Sequence, residues 1–352
     1  FLRPSLPPLP LRLAARSLWM SSIAASLRVR LRLPLIGAPL FIVSNPELVI
    51  AQCKAGVVGS FPALNARPKE KLEEWIVQIK QALAEHDAAH PHAPAAPFAV
   101  NQIVHRSNDR LQHDLEACVR HEVPLVITSL GAREDVNAAV HSYGGLVLHD
   151  VINNRFAKKA IQKGADGLIA VAAGAGGHAG TLSPFALVAE IREWFDGPVA
   201  LSGAISTGRA ILAAQAVGAD FAYAGSAFIP TFEANAAADY KQAIVDCGAE
   251  DIVYSSLFTG VHGNYLRPSI IAAGLDPDNL PEGDVTKMDF GSGGNTSAKA
   301  WKDIWGCGQG IGNISAVQST ADVVARLERE YVAAIADTNA AVAQCMGPAS
   351  KL

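Results

Sequence analysis

The sequence predicts an α/β fold, a (β/α)8 TIM barrel with a smaller inserted lid or substrate domain. From Pro34 onward, short apolar runs alternate eight times with helical stretches, the pattern of parallel βα units. The apolar runs are nearly continuous, as in strands buried on both faces. A count of eight favours barrel closure over an open doubly wound sheet, which is the structural alternative.

The elements follow in order. PLIGAPLFIV (34–43) reads as strand one. The helix at 45–56 has Asn45 as its N-cap, Pro46 just inside and Gly56 at its end. Strand two is 57–61. The helix at 67–86 places Leu72, Trp75, Ile76 and Ile79 on one face. Strands three to six are 97–104, 123–128, 146–151 and 166–172, separated by helices at 109–122, 133–144 and 154–164. A helix at 183–195, strand seven at 198–203, a helix at 207–218 and strand eight at 220–228 complete the set. These divide the chain into a barrel at 34–232, an inserted lid or substrate domain at 233–304, and a segment at 305–352 that returns to the barrel with a helix at 320–342. Residues 1–33 are read as an extension outside the core. They are rich in arginine and proline and contain no acidic residue. A transit peptide is one reading; a start at Met20, with Phe1 to Trp19 as upstream sequence, is the preferred one.

Composition bounds the function. The 352 residues are 50% hydrophobic with a net charge of −4. That leaves no extended basic surface for nucleic acid. No apolar run has the length of a membrane span. The five cysteines are scattered and form no CxxC pair, so buried free thiols in a reducing, cytoplasmic setting are expected. The Pro/Ala-rich stretch 86–97 carries three histidines at a spacing that fits no preferred metal site, and no metal is expected.

Barrel active sites lie at the C-terminal strand ends, and each informative motif falls there. AAGAGGHAGTLSP (172–184) follows strand six. Gly177 and its neighbouring glycines would let backbone approach a flat ligand. Among them His178 has the right chemistry for proton abstraction near neutral pH; a loop histidine without a role is the alternative. LSGAISTGRA (201–210) and YAGSAFI (223–229) follow strands seven and eight, where barrels often bind phosphate. Gly203, Gly225 and Ser226 would present amides, and Ser226 a hydroxyl, to a phosphate at a helix N-terminus; ordinary turn glycines are the alternative. In WGCGQGIG (305–312), Gln309 and Gly310 could meet a ligand. Ala38 and Pro39 bend strand one. Asn101 and Gln102 are polar groups in an apolar strand and need partners if buried. His149 and Asp150 end strand five and could face the same pocket or serve the structure.

GAPLF, VNQ, GAGGHAG, SGAISTG, AGSAF and GCGQGIG occur in the order seen in the nitronate monooxygenases, and from about Pro34 to the last helix the chain resembles that family. The resemblance implies noncovalent FMN in a barrel. It implies oxidation of an alkyl nitronate, or a nitroalkane, with O2 to a carbonyl compound and nitrite. By position His178 matches the catalytic histidine, and Gly203, Gly225 and Ser226 match the phosphate contacts. Ala38, Pro39, Asn101, Gly177, Gln309 and Gly310 match flavin neighbours. The chain departs from the family pattern in having Gly174 where a Glu is usual, Leu40 where Met is common, and AGSAF where Gly-Thr is usual. An FMN-dependent enoyl-thioester reductase using NAD(P)H is the alternative activity. A barrel that binds FMN or a phosphorylated metabolite without turnover is a third reading. A homo-oligomer is compatible with all three.

Overall fold

A computed structural model describes residues 29–283 and 303–346. Met20, the residues before it and the GSGGN stretch of the expected lid lie outside the described residues.

The chain alternates β1 (Leu35–Gly37), α1 (Pro46–Lys54), β2 (Gly59–Pro62), α2 (Lys71–Ala89), β3 (Phe98–Ile103), α3 (Leu111–Arg120), β4 (Leu125–Ser129) and α4 (Glu134–His141). It continues through β5 (Leu146–Val151), α5 (Asn154–Gln162), β6 (Gly167–Val171), the short β7 (Gly177–His178), α6 (Pro184–Arg192), β8 (Val199–Ser202), α7 (Gly208–Ala216) and β9 (Phe221–Ala224). Eight of these strands form one parallel sheet in the order β1-β9-β8-β6-β5-β4-β3-β2. The ring closes where Gly37 N donates to Val58 O at 2.7 Å and Val58 N donates to Leu35 O at 3.2 Å. The fold is therefore the (β/α)8 barrel.

Strand alternation sorts the core into two layers. Ile36, Ala99, Ile127, Leu148, Ile169 and Phe221 fill the barrel interior. Val100, Val126, Val147, Leu168 and Val199 face outward and pack with Leu48, Leu72, Ile76 and Ile79 of the helices. Trp75 sits half-buried with its ring edge-on to Phe61 at 5.6 Å. The expected cap forms: Asn45 Oδ1 accepts from Leu48 N at 3.0 Å. Asn153 and Thr207 cap α5 and α7 in the same way.

Three expectations need correction. Strand one ends at Gly37 rather than Val43. The chain then turns, with Ile42 at a φ of 67°, and Asn65 Nδ2 holds the turn through Leu40 O and Ser44 O at 3.0 and 2.8 Å. Leu40 to Val43 are apolar because they line a cavity, not because they pair. Helix α2 runs three residues past His86, so His86 and His90 stack one turn apart at 4.4 Å. Of the cysteines, Cys345 is exposed and Cys247 only half-buried.

Beyond β9 lie α8 (Ala238–Asp246), β10 (Ile252–Ser255), β11 (Gly263–Leu266), α9 (Arg267–Ala272) and α10 (Thr320–Met346). β10 and β11 form an antiparallel hairpin, and β11 pairs with β7 through Gly263–His178 and Asn264–Gly177. α10 packs on α7 and α1. No helix of the described residues is long and apolar enough to cross a membrane.

Candidate active site

The C-terminal strand ends surround a cavity of about 1120 Å³. Ala38, Pro39, Asn101, Gly177, His178, Gly203, Gly225, Ser226 and Gly310 all line it. Gln309 does not: it is exposed, and its backbone N donates to Gly174 O at 2.9 Å, joining its loop to the histidine loop.

The phosphate-type loops lie side by side because β8 and β9 are neighbours, with Ser202 beside Tyr223. Gly203 has a φ of 143°, and a Cβ there would meet Ala173 O at 2.7 Å. A Cβ on Gly225 would meet Leu40 Cδ2 at 2.9 Å. Ser226 Oγ accepts from Gly308 N at 2.9 Å, and Ser206 Oγ donates to Gly310 O at 2.6 Å. The 306–310 loop thus closes against both barrel loops. Its approach to the histidine loop is backbone on backbone: a Cβ on Gly308 would lie 2.5 Å from Gly174 O, and one on Gly176 would lie 2.7 Å from the carbonyl carbon of Cys307. Glycine on both sides permits the contact.

The floor of the cavity is polar. Asn101, Ser129 and Asp150 point inward from β3, β4 and β5. Asn101 Nδ2 donates to Ser129 Oγ at 2.8 Å, and Ser129 Oγ donates to Asp150 Oδ2 at 2.6 Å. Asp150 Oδ1 is buried without a hydrogen-bond partner. Burial pushes the Asp150 carboxyl up to about 6, against the opposing pull of the Ser129 bond. Burial, with Asp150 nearby, also holds the Tyr223 phenol in its neutral form. Gln102 belongs to the other face of β3, where its Nε2 donates to Cys118 Sγ at 3.3 Å under α3; the two-residue period of the strand takes it away from any ligand. His149 borders the cavity, but its ring pairs with Thr128 of the neighbouring strand, Nδ1 lying 2.5 Å from Thr128 Oγ1, with burial lowering its pKa to about 4.

His178 is held by the β10–β11 hairpin. Besides the β7–β11 pairing, Asn264 Nδ2 donates to Ala175 O at 2.6 Å and Ala179 N donates to His262 O at 3.2 Å. The ring is half-buried, with Nε2 2.9 Å from Thr259 Oγ1. Burial pushes the imidazole down to about 4, so it is neutral at pH 7. Thr259 and Ser129 carried no sequence signal: Thr259 lies 81 residues from His178, and Ser129 is one serine after an apolar run. Among the described residues no group of three or more His, Cys, Asp or Glu side chains is placed to hold a metal.

The nitronate monooxygenase family model covers residues 27–273. The chain belongs to the nitronate monooxygenase family. Membership makes the protein a flavin-dependent oxidoreductase. The nitronate monooxygenase of Paraburkholderia phytofirmans is 28% identical over 339 residues, covering 84% of this chain and 92% of that protein. Among solved structures, nitroalkane oxidase from Streptomyces ansochromogenes aligns with a TM-score of 0.73 at 23% identity, covering 89% of this chain and 99% of that one. FabK from Thermotoga maritima aligns with a TM-score of 0.71 at 20% identity, covering 90% and 98%. These two structural likenesses establish the fold.

Proposed function

We propose that this nitronate monooxygenase family member binds FMN in the barrel mouth and oxidises alkyl nitronates with O2 to a carbonyl compound and nitrite. The observation that carries the reading is the placement of His178 in the same cavity as the glycine cradle.

The residues present fit FMN. Gly203 and Gly225 let the two loops pack tightly in the cavity wall, against Ala173 O and the Leu40 side chain respectively. Backbone around Gly203, Gly225 and Ser226, at the ends of the neighbouring strands β8 and β9, suits a phosphate. The Asn101–Ser129–Asp150 row offers polar atoms to the edge of a flat heterocycle, and Asp150 Oδ1 still needs a partner. When bound, FMN supplies the electron-accepting ring between substrate and O2.

The chain's own residues bind, orient and handle the proton. An uncharged imidazole can accept a proton, as removal of the α-proton of a nitroalkane requires. Nitronates are already deprotonated and need no such step. An anion bound beside His178 would raise its pKa and strengthen its grip on the proton. The hairpin across the mouth, with Thr259 and Val261 among the lining residues, limits the access of water.

A second reading, an FMN-dependent enoyl-thioester reductase using NAD(P)H, has one observation in its favour. The cavity continues along Ile152 and Phe156, with Lys159 in its wall, a lining suited to an apolar chain bearing an anionic group. One experiment separates the two. The visible absorption spectrum is recorded anaerobically before and after a nitronate is added, and in parallel with NADPH. Bleaching by the nitronate alone supports the oxidation; bleaching by the nicotinamide alone rejects it in favour of the reductase.

A further inference from the structure

We infer that Tyr223 is a cofactor-binding residue: its phenol hydroxyl donates a hydrogen bond from the cavity floor to an acceptor atom of the bound flavin ring. That bond holds the reduced ring more tightly than the oxidised one. The inference rests on the reading of the cavity as an FMN site, and its test reads a redox potential rather than turnover.

The two-residue period of the strands puts the phenol on the floor. Phe221 fills the barrel interior, so Tyr223, two residues on, belongs to the next layer towards the mouth. There it stands beside Ile36 of β1 and Ser202 of β8. Asn101, Ser129 and Asp150 belong to the same layer, each two residues beyond an interior side chain, Ala99, Ile127 and Leu148 respectively. Those three are tied to one another by hydrogen bonds. Tyr223 is not. It is only 7% exposed, it lines the cavity, and its hydroxyl bonds to no other described residue. A buried phenol ordinarily finds a partner for its O–H. This hydroxyl opens on the cavity instead of being sealed within the protein, so the partner it lacks is the molecule that fills the cavity. Gly225 and Ser226 follow on the same strand end. One strand thus offers both the phenol and part of the backbone suited to a phosphate.

A neutral phenol has one proton to donate. Burial, and then the nearby Asp150, push its pKa well above the ordinary value, so Tyr223 gives a hydrogen bond without giving up the proton. Reduction adds electron density to the acceptor atoms of a flavin, and a hydrogen bond to a more negative acceptor is stronger. A donor already in place in a buried site favours the state in which that charge has developed.

The test compares the flavin-loaded full chain with Tyr223→Phe. Phenylalanine keeps the ring in the interior cluster and removes only a hydroxyl that holds no other described residue. Oxidised FMN is titrated into apoprotein and followed by flavin fluorescence. The two-electron potential is read by anaerobic equilibration with a dye of known potential. Oxidised FMN is expected to bind almost as tightly to the variant, and reduced FMN roughly tenfold less tightly, which lowers the two-electron potential by about 30 mV. Tyr143→Phe is the control, since its hydroxyl donates to Val123 O at 2.9 Å away from the cavity; its potential is expected to match the wild type. An unchanged potential in Tyr223→Phe, or an equal shift in Tyr143→Phe, overturns the inference and leaves the FMN reading intact. So does loss of flavin from Tyr223→Phe in both redox states, which would make the hydroxyl a part of the fold. A wild type that binds no FMN overturns both. A lowered potential in a protein that does not oxidise nitronates sustains the inference and rejects the proposed activity instead.

Discussion

Burial sets the protonation of His178 and His149, and each gives a test at the residue scale. If His178 takes the α-proton of a nitroalkane, His178→Ala should lower nitroalkane kcat/KM by about 10²–10⁴-fold. Nitronate turnover, which needs no such step, should fall much less. Steady-state kinetics on a nitroalkane and its own nitronate measure the ratio, and equal losses would remove the base role. His149 gives a stability test. Its pKa is lowered to about 4 in the folded chain, against about 6.5 when unfolded. Between these values the unfolded chain binds the extra proton, so stability is complete above about pH 6.5 and declines as pH falls through 4. Asp150 has the opposite sign: its raised pKa favours the folded state below the unfolded value, and that advantage is lost as pH rises through about 6. Denaturant melts of the wild type and His149→Asn at pH 6.5 and 4 isolate the histidine. The wild type should lose more stability on acidification, by about 3 kcal/mol at most. A parallel pH dependence in both would show that His149 is not the source.

Scale changes what a residue means. Asn101 and Gln102 are equally polar neighbours in the sequence, yet one joins the cavity floor and the other reaches Cys118. At the level of the element the two-residue period decides this, and it was available before any coordinates once a strand was assumed. The pairing of β7 with β11 was not: two residues of a glycine loop carry no strand pattern, and their partner lies some 80 positions away. The 306–310 loop makes its own prediction. Adding a Cβ at Gly308 places it 2.5 Å from Gly174 O, which is backbone and cannot swing aside. Gly308→Ala should therefore cost about 1–3 kcal/mol and lower the flavin retained through purification. Thermal melts and the ratio of visible to ultraviolet absorbance read both. Full stability together with full flavin content would mean that the loop yields.

For the molecule as a whole, α10 ties the end of the barrel to its beginning. It crosses α7 so closely that a Cβ on Gly208 would sit 2.2 Å from Leu327 O, and Gly208 N donates to Glu330 Oε2 at 2.7 Å. Arg32, just before β1, pairs with Glu328 of the same helix. Leu327 is buried in the main core, so Leu327→Ala should cost about 2–5 kcal/mol by denaturant unfolding. A loss under 1 kcal/mol would show that the helix is an accessory to the barrel rather than part of it.

Length, eight apolar runs and helix punctuation determined the barrel, because local periodicity and caps such as Asn45 act within a few residues. The glycine loops and His178 were legible for a related reason: strand order places every strand's end at one mouth. Only the tertiary structure decided that Gln309 joins Gly174 through its backbone, that Leu40 to Val43 line a cavity instead of pairing, and that Thr259 meets the imidazole. Those outcomes depend on contacts between segments far apart in the chain, and no local preference encodes which distant oxygen will stand 2.9 Å from a ring nitrogen.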